Sequence, residues 1–494
     1  MSILTLLTPA SRRRLYRVPN MYSTHAEQSV GLLTPDQDRG SRYTSYRSFN
    51  LPSFGGFPHV SSILPGFLRP SGQKRKKITS TSYLDGIRGL AACIVVTSHA
   101  KGACGLQDVW ILEQPIIGIN HAGQAMVDVF FIISGYVLSY RMLKLMRNHD
   151  SQKLLDSLAS SIFKRFLRLH LPVGLATFIS MVLIRLNWLP NPPTERLPSF
   201  AAQFVDWFGD LLWSANPCTD VRGYWYEGVF RTRYLDQMWT VPVEFRGSMI
   251  LFSYCAACCK LSDRNRIQLT FLTIVLFFYW QSVYAAMFLG GMLIADMSLS
   301  SMEKEQETST AIDDIGNEDK DKAACTEKSQ SLLVRIGWVI LLILGIFCLS
   351  QPHPLVESVP FPWDYTRKII PPWWVRDGDY DGKEHFLYGI GALSFIFAVE
   401  SYPALQVPFN TPFLQHLGEI SFGMYATHNM LIWMLADPIL GPYRIQHFGK
   451  SPWGFLSVLV PIMLLTFWMG DYFTRANRHV INIGVQAQKR LFAD

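Results

Sequence analysis

Ten mostly apolar stretches punctuate the chain, separated by segments rich in charge, Pro and Gly. They lie near residues 84–101, 124–143, 168–189, 238–258, 267–282, 283–299, 331–350, 386–402, 418–436 and 455–473. A helix that crosses the hydrocarbon of a bilayer needs about 20 such residues. A soluble helix would show a one-sided apolar stripe instead. The pattern predicts an all-α, polytopic membrane helical bundle with about ten transmembrane helices. The fifth and sixth stretches are nearly continuous and read as a tight hairpin; the eighth is short. Residues 1–78 are rich in Ser, Pro, Arg and Gly without a sustained helical period, which predicts a disordered extramembrane tail.

Composition agrees with lipid as the solvent. Of 494 residues, 49% are hydrophobic and only 17% charged, against about 25% charged in soluble domains. The net charge of +7 is unevenly placed. Residues 1–78 carry twelve Lys/Arg against three Asp/Glu, whereas 300–330 carry nine acids against four bases. Basic residues in a tail and short loops suit membrane topology better than nucleic acid. Lys74–Lys77, the Arg141–Arg168 segment, Lys260–Arg266 and Arg475–Arg490 all fall on one side of a ten-span chain. The positive-inside rule makes that side the cytosol and both termini cytosolic. The expected divisions are a basic cytosolic tail (1–78), a membrane domain (79–475) with an acidic cytosolic loop (300–330), and a short cytosolic tail (476–494). The host membrane is an endomembrane or the plasma membrane; an Arg-rich, acid-poor start also fits a mitochondrial presequence. Two long outer loops, 190–237 and 351–385, are aromatic-rich and read either as an interfacial belt or as a lid over a site. Cys255, Cys258 and Cys259 form a run without nearby His and read as packing, with no metal expected. Cys104 and Cys218 are the pair the topology leaves free to meet an oxidising compartment.

Ionisable groups inside spans are functional candidates. In the first span Asp85, Arg88 and His99 share one stripe, with His99 about 16 Å beyond Arg88 along the axis. An Asp85–Arg88 pair at the helix end, with His99 hydrogen-bonded in packing, is the structural alternative. Asp128 in the second span faces the same way as Gly135 and Ser139; close packing explains the small residues but not the acid. Arg165 and Arg168 project together from the start of the third span. Two guanidinium forks suit phosphate oxygens, and equally a topology anchor. Glu244 follows Trp239 and Pro242 in the fourth span. Ser421, Tyr425 and His428 form a polar stripe in the ninth, with His428 either structural or catalytic.

The sequence holds no Walker loop, dinucleotide fingerprint, HExxH or GxSxG. Five blocks in order resemble the acyltransferase 3 family of integral membrane acyltransferases. YLDGIRGLAACIVVTSHA, with ten residues between Arg88 and His99, is similar to the first-span signature. VDVFFIISGYVL, RFLRLHLP, MWTVPVEF and LGEISFGMYATH resemble its later blocks. The Phe245-Arg246 pair after Glu244 looks like members from filamentous fungi, often tied to secondary metabolism.

The resemblance implies a membrane O-acyltransferase. It would move an acyl group, acetyl first among them, from acyl-CoA to a hydroxyl of a small molecule or sugar. Acyl-CoA is then a co-substrate, with no bound cofactor. His99 would take the acceptor's proton, Arg165 and Arg168 would hold the donor's phosphates, and Arg88 or a backbone N–H would stabilise the oxyanion. Glu244 and Asp85 orient; Asp128, Trp239 and His428 support. The rival class is a polytopic transporter using His, Asp and Glu as a proton relay; a non-catalytic receptor or scaffold would have no use for the Arg-x-x-Arg block.

Overall fold

The computed structural model describes residues 78–106, 109–216, 231–313, 332–352, 361–374, 383–449 and 451–491. The tail 1–77 and Cys218 lie outside them. Every regular element among the described residues is helical. The helices are α1 (Ser82–Ala103), α2 (Gly123–Arg147), α3 (Ser151–Arg185), α4 (Phe200–Ser214), α5 (Thr240–Ala257), α6 (Asp263–Tyr279), α7 (Val283–Asp313), α8 (Leu332–Leu349), α9 (Glu384–Ser401), α10 (Pro412–Leu431), α11 (Gly441–Phe448) and α12 (Leu456–Leu491).

Each of the ten apolar stretches falls on one of these helices. Five, namely α2, α3, α7, α8 and α12, are long and apolar enough to cross a membrane. The count becomes six if α9 and the 3-10 segment Pro403–Asn410, bent by 99°, form one broken span. The expected ten is therefore not reached on length and apolarity. The physical reason is local. Helix α6 has 17 residues, and α1, α5 and α10 carry the polar groups of the candidate site within their lengths. Pro242 does not kink α5, because it falls in the first turn, where its missing N–H has no helical partner to lose. The α6–α7 connection is a hairpin of three residues, with Gln281 at a positive φ of 58°.

One expectation changes. The acidic loop does not begin at 300: α7 continues to Asp313, and Arg147 donates to the carboxylates of Asp296 (2.6 Å) and Glu303. Residues 476–491, within the expected short cytosolic tail, form the end of α12. Cys104 is a free thiol, and Cys218, the other cysteine the topology leaves free for an oxidising compartment, lies outside the described residues. Cys255 packs its sulfur 3.8 Å from that of Met292.

Small residues let backbones approach, as helices in lipid require. A Cβ on Gly135 would strike the carbonyl of Phe288, and one on Gly291 the carbonyl of Ile132, which locks α2 against α7. Gly89 meets Gly418, locking α1 against α10. The largest core runs through these helices. A smaller cluster of Met181, Ile184, Leu189, Trp207 and Tyr234 lies between α3 and α4, with Trp433 packed on it.

Candidate active site

The α1–α10 contact brings two imidazoles together. At one end, Arg88 donates to the carbonyl of Gly418 (3.0 Å) and to Ser421 Oγ (3.2 Å), and pairs with Asp85 at 3.0 Å. Eleven residues further along α1, His99 meets His428 of α10 edge to face, ring centroids 4.9 Å apart. His99 is half-buried; His428 is fully buried.

The backbone fixes the state of His428. Its Nδ1 lies 2.8 Å from the carbonyl of Tyr425 and 3.2 Å from that of Met424. Carbonyls only accept, so Nδ1 carries the hydrogen and Nε2 of the neutral ring keeps its lone pair. That Nε2 has no hydrogen-bond partner among the described residues.

The 3-10 turn Asp236–Trp239 is bonded to α10 at the residues that flank His428. Tyr425 donates its hydroxyl to the carbonyl of Gln237 and lies 2.8 Å from Thr240 Oγ1. Asn429 donates Nδ2 to Gln237 Oε1 at 3.0 Å. This bond orients the Gln237 amide, and its Nε2 has no partner among the described residues. Neither Gln237 nor Asn429 was expected from sequence. Both neighbour recognisable blocks, but a lone amide has no periodic signature.

The other expected residues divide into two groups. Arg165 and Glu244, expected in separate roles, form one ion pair with side chains 3% and 0% exposed. Arg165 also donates Nε to Ser248 Oγ at 2.9 Å. The two arginines therefore do not present a joint fork: Arg165 is spent on Glu244, while Arg168, three residues on, is half-buried with its Nε lacking a partner among the described residues. Asp128 is explained by a residue the sequence reading missed. His385, at the start of α9, lies with Nδ1 3.0 Å from Asp128 Oδ2, and its Nε2 is 3.4 Å from the Tyr284 hydroxyl. The Tyr284 ring in turn lies 6.0 Å from that of Trp239. His385 immediately precedes the short eighth stretch, where no motif marked it.

At the end of the first span Lys101 donates to Glu113 and lies 3.3 Å from Nδ1 of His121, which is outside the spans and whose Nε2 is 2.7 Å from the carbonyl of Leu112. Burial and the neighbouring ammonium push the His121 imidazole down to about 4. Trp363, fully buried, donates Nε1 to the Glu113 carbonyl at 2.6 Å, fastening the 361–374 segment over this corner. No group of three His, Cys, Asp or Glu able to hold a metal occurs among the described residues.

An imidazole lone pair beside a half-buried imidazole, with amide and hydroxyl groups around them, suits proton removal from an alcohol. The comparisons name the reaction class. The sequence model of the acyltransferase domain family matches residues 81–471. The chain is 31% identical over 453 residues to the O-acetyltransferase PaAT-1 of Phomopsis amygdali, covering 83% of this chain and 85% of that one. It is 20% identical over 405 residues to acyltransferase R4 of a Phoma species (72% and 83% covered) and 22% over 410 to acyltransferase clz18 of Cochliobolus lunatus (71% and 82%). No solved structure matches. The chain belongs to the acyltransferase 3 family of membrane acyltransferases.

Proposed function

We propose that the protein transfers an acetyl group from acetyl-CoA to a hydroxyl of a small molecule, within fungal secondary metabolism. The observation that carries this reading is the His99–His428 pair, one ring half-buried and the other anchored by main-chain carbonyls. In this reading His99 takes the proton as the acceptor oxygen attacks the thioester carbonyl, and His428 holds the His99 ring in place. The tetrahedral oxyanion needs a donor within about 3 Å. Arg88 sits eleven residues away on α1, about 16 Å along the axis, and is tied to Asp85, Gly418 and Ser421. The Nε2 of Gln237, 2% exposed, is the better-placed group, and Arg88 is assigned to holding α1 on α10. Arg168 binds donor phosphate, with the Arg165–Glu244 pair setting α3 against α5 beside it. All ten apolar helices cross the membrane in this reading, with both termini cytosolic, so the donor arrives from the cytosol and the His pair lies in the far half of the bilayer.

The test uses the full chain in lipid nanodiscs with acetyl-CoA and a panel of alcohols, product and free CoA being measured together. His99→Ala should lose about 10²–10⁴-fold in turnover with normal accumulation, and Gln237→Ala should lower kcat with little change in KM. Near-normal turnover by a well-folded His99→Ala protein overturns the assignment.

A further inference from the structure

Helix α4 is inside out for a helix in water. Its polar side chains face the protein. Gln203 donates Nε2 to the Tyr234 hydroxyl at 2.7 Å. Asp210 accepts from Thr232 Oγ1 at 2.5 Å and from the main-chain N–H of Arg233 at 3.2 Å. Asp206 accepts from the Tyr234 hydroxyl at 2.8 Å and pairs with Arg233 at 2.9 Å. Trp207 donates Nε1 to Thr177 of α3 at 3.0 Å. The opposite face is apolar and uncovered: Phe204 is 40%, Phe208 47% and Leu212 61% exposed, with Phe200, Val205 and Trp213 beside them. Water would favour the reverse arrangement. A contiguous apolar face of this kind marks an interaction surface.

We propose that α4 lies in the plane of the membrane with its phenylalanine face sunk in the lipid of the leaflet beside the His-pair end of the bundle. Three observations select lipid over another protein. The helix packs on α3, itself long and apolar enough to cross a membrane, so its open face continues a membrane-facing surface. Its 15 residues extend about 22 Å, short of a hydrocarbon core of about 30 Å, so it lies along the leaflet rather than through it. Trp188, at the end of α3, and Trp213, at the end of α4, are both exposed, as interfacial aromatics are.

The position gives the surface a purpose. The segment pinned by the polar face, Thr232 to Tyr234, is also held by Ser180 of α3, which donates to the Tyr234 carbonyl at 2.7 Å. Three residues on is Gln237, bonded to Tyr425 and Asn429 beside the His pair. Lipid under α4 thus supports the connection that carries Gln237. The α4 part of the long aromatic loop is in this respect an interfacial element.

The test is covalent labelling of the unmodified full chain in nanodiscs containing a phospholipid with a photoactivatable diazirine in its acyl chain. Hydroxyl-radical footprinting from the aqueous side runs in parallel. Trypsin releases α4 within one peptide, residues 197–222. The expected result is lipid-derived carbene adducts at Phe204, Phe208 and Leu212 and little hydroxyl-radical oxidation there. The exposed face of α8 (Leu333, Ile340, Leu344) is the internal control. If α8 is labelled and α4 is oxidised instead, α4 sits in water and the proposal is overturned. If α4 escapes both reagents and crosslinks to a second chain, its partner is another copy and the proposal is again overturned. Failure to label α8 would instead overturn the membrane-span reading on which the proposal rests.

Discussion

Replacing Glu244 by Ala would strip the counter-charge from a guanidinium that has no route to water. Arg165 and Glu244 are 3% and 0% exposed and their contact joins α3 to α5. After the substitution Arg165 keeps Ser248 Oγ, at 2.9 Å, a neutral partner for a full charge. Removing one member of a buried pair costs about 3–5 kcal/mol, because the remaining charge stays desolvated. Removing both with apolar side chains of similar volume is often neutral or stabilising, by about 1–4 kcal/mol. Like Glu244→Ala, Glu244→Leu should therefore lower folded yield and thermal midpoint sharply, as should Arg165→Met. Arg165→Met/Glu244→Leu should recover most of the loss, with a coupling well above the roughly 0.5 kcal/mol scatter of independent sites. Thermal unfolding of the four proteins in nanodiscs reads this directly. Acetyl-CoA titration of the double variant then separates the pair's two possible duties. A purely architectural pair leaves donor affinity unchanged, whereas an Arg165 that also contributes to the phosphate site weakens it. Single variants within about 0.5 kcal/mol of wild type would refute the reasoning, as would a double variant as unstable as the sum of the singles.

Arg168→Ala should weaken acetyl-CoA binding more than acceptor binding, with Arg168→Lys recovering part, since a planar fork is replaced by a point charge; unchanged donor affinity would reduce Arg168 to a topology anchor. His121 is neutral in the fold, its imidazole held down to about 4 against about 6.5 when unfolded. Between those values the unfolded chain binds the extra proton, so this contribution to stability is fully present above about pH 6.5 and is lost as pH falls toward 4; a thermal midpoint in His121→Gln with the same slope across that window as wild type would exclude the residue. Replacing residues 314–331 by a Gly/Ser linker while keeping α7 through Asp313, and with it the Arg147–Glu303 contact, should leave transfer within a few-fold.

What the chain discloses in advance follows from how each force is written along it. Lipid as solvent imposes long apolar runs, so every stretch read from the pattern falls on a helix; helices that carry His99, Glu244 or His428 dilute their own apolarity and do not pass on length and composition, which identify five or six candidate spans among the described residues. Periodicity placed Asp85, Arg88 and His99 on one face, and spacing put His428 on a polar stripe, because a helix repeats regularly along one axis. Neither could show that α1 and α10 cross so that the two imidazoles meet, since a crossing is set by which glycines meet, here Gly89 and Gly418. The same limit applies to Arg165. Three residues of spacing says that Arg165 and Arg168 leave α3 together, but the carboxylate that captures one of them lies on α5, 79 positions away.

Buried charge is thus the one feature that sequence identifies and fails to interpret. Asp128, Arg165 and Glu244 were each marked because lipid cannot tolerate them alone. Each proves to have a partner on another helix: His385 for the first, and each other for the second and third. A charge satisfied in that way is poorly placed to meet a substrate directly. Among the polar atoms without a partner in the described residues are Nε2 of His428, whose ring is anchored on the Tyr425 carbonyl, and Nε2 of Gln237, whose carbonyl accepts from the Tyr425 hydroxyl. In the proposed reading His99 takes the alcohol's proton, the anchored His428 ring holds His99 in place, and the Gln237 amide donates to the oxyanion.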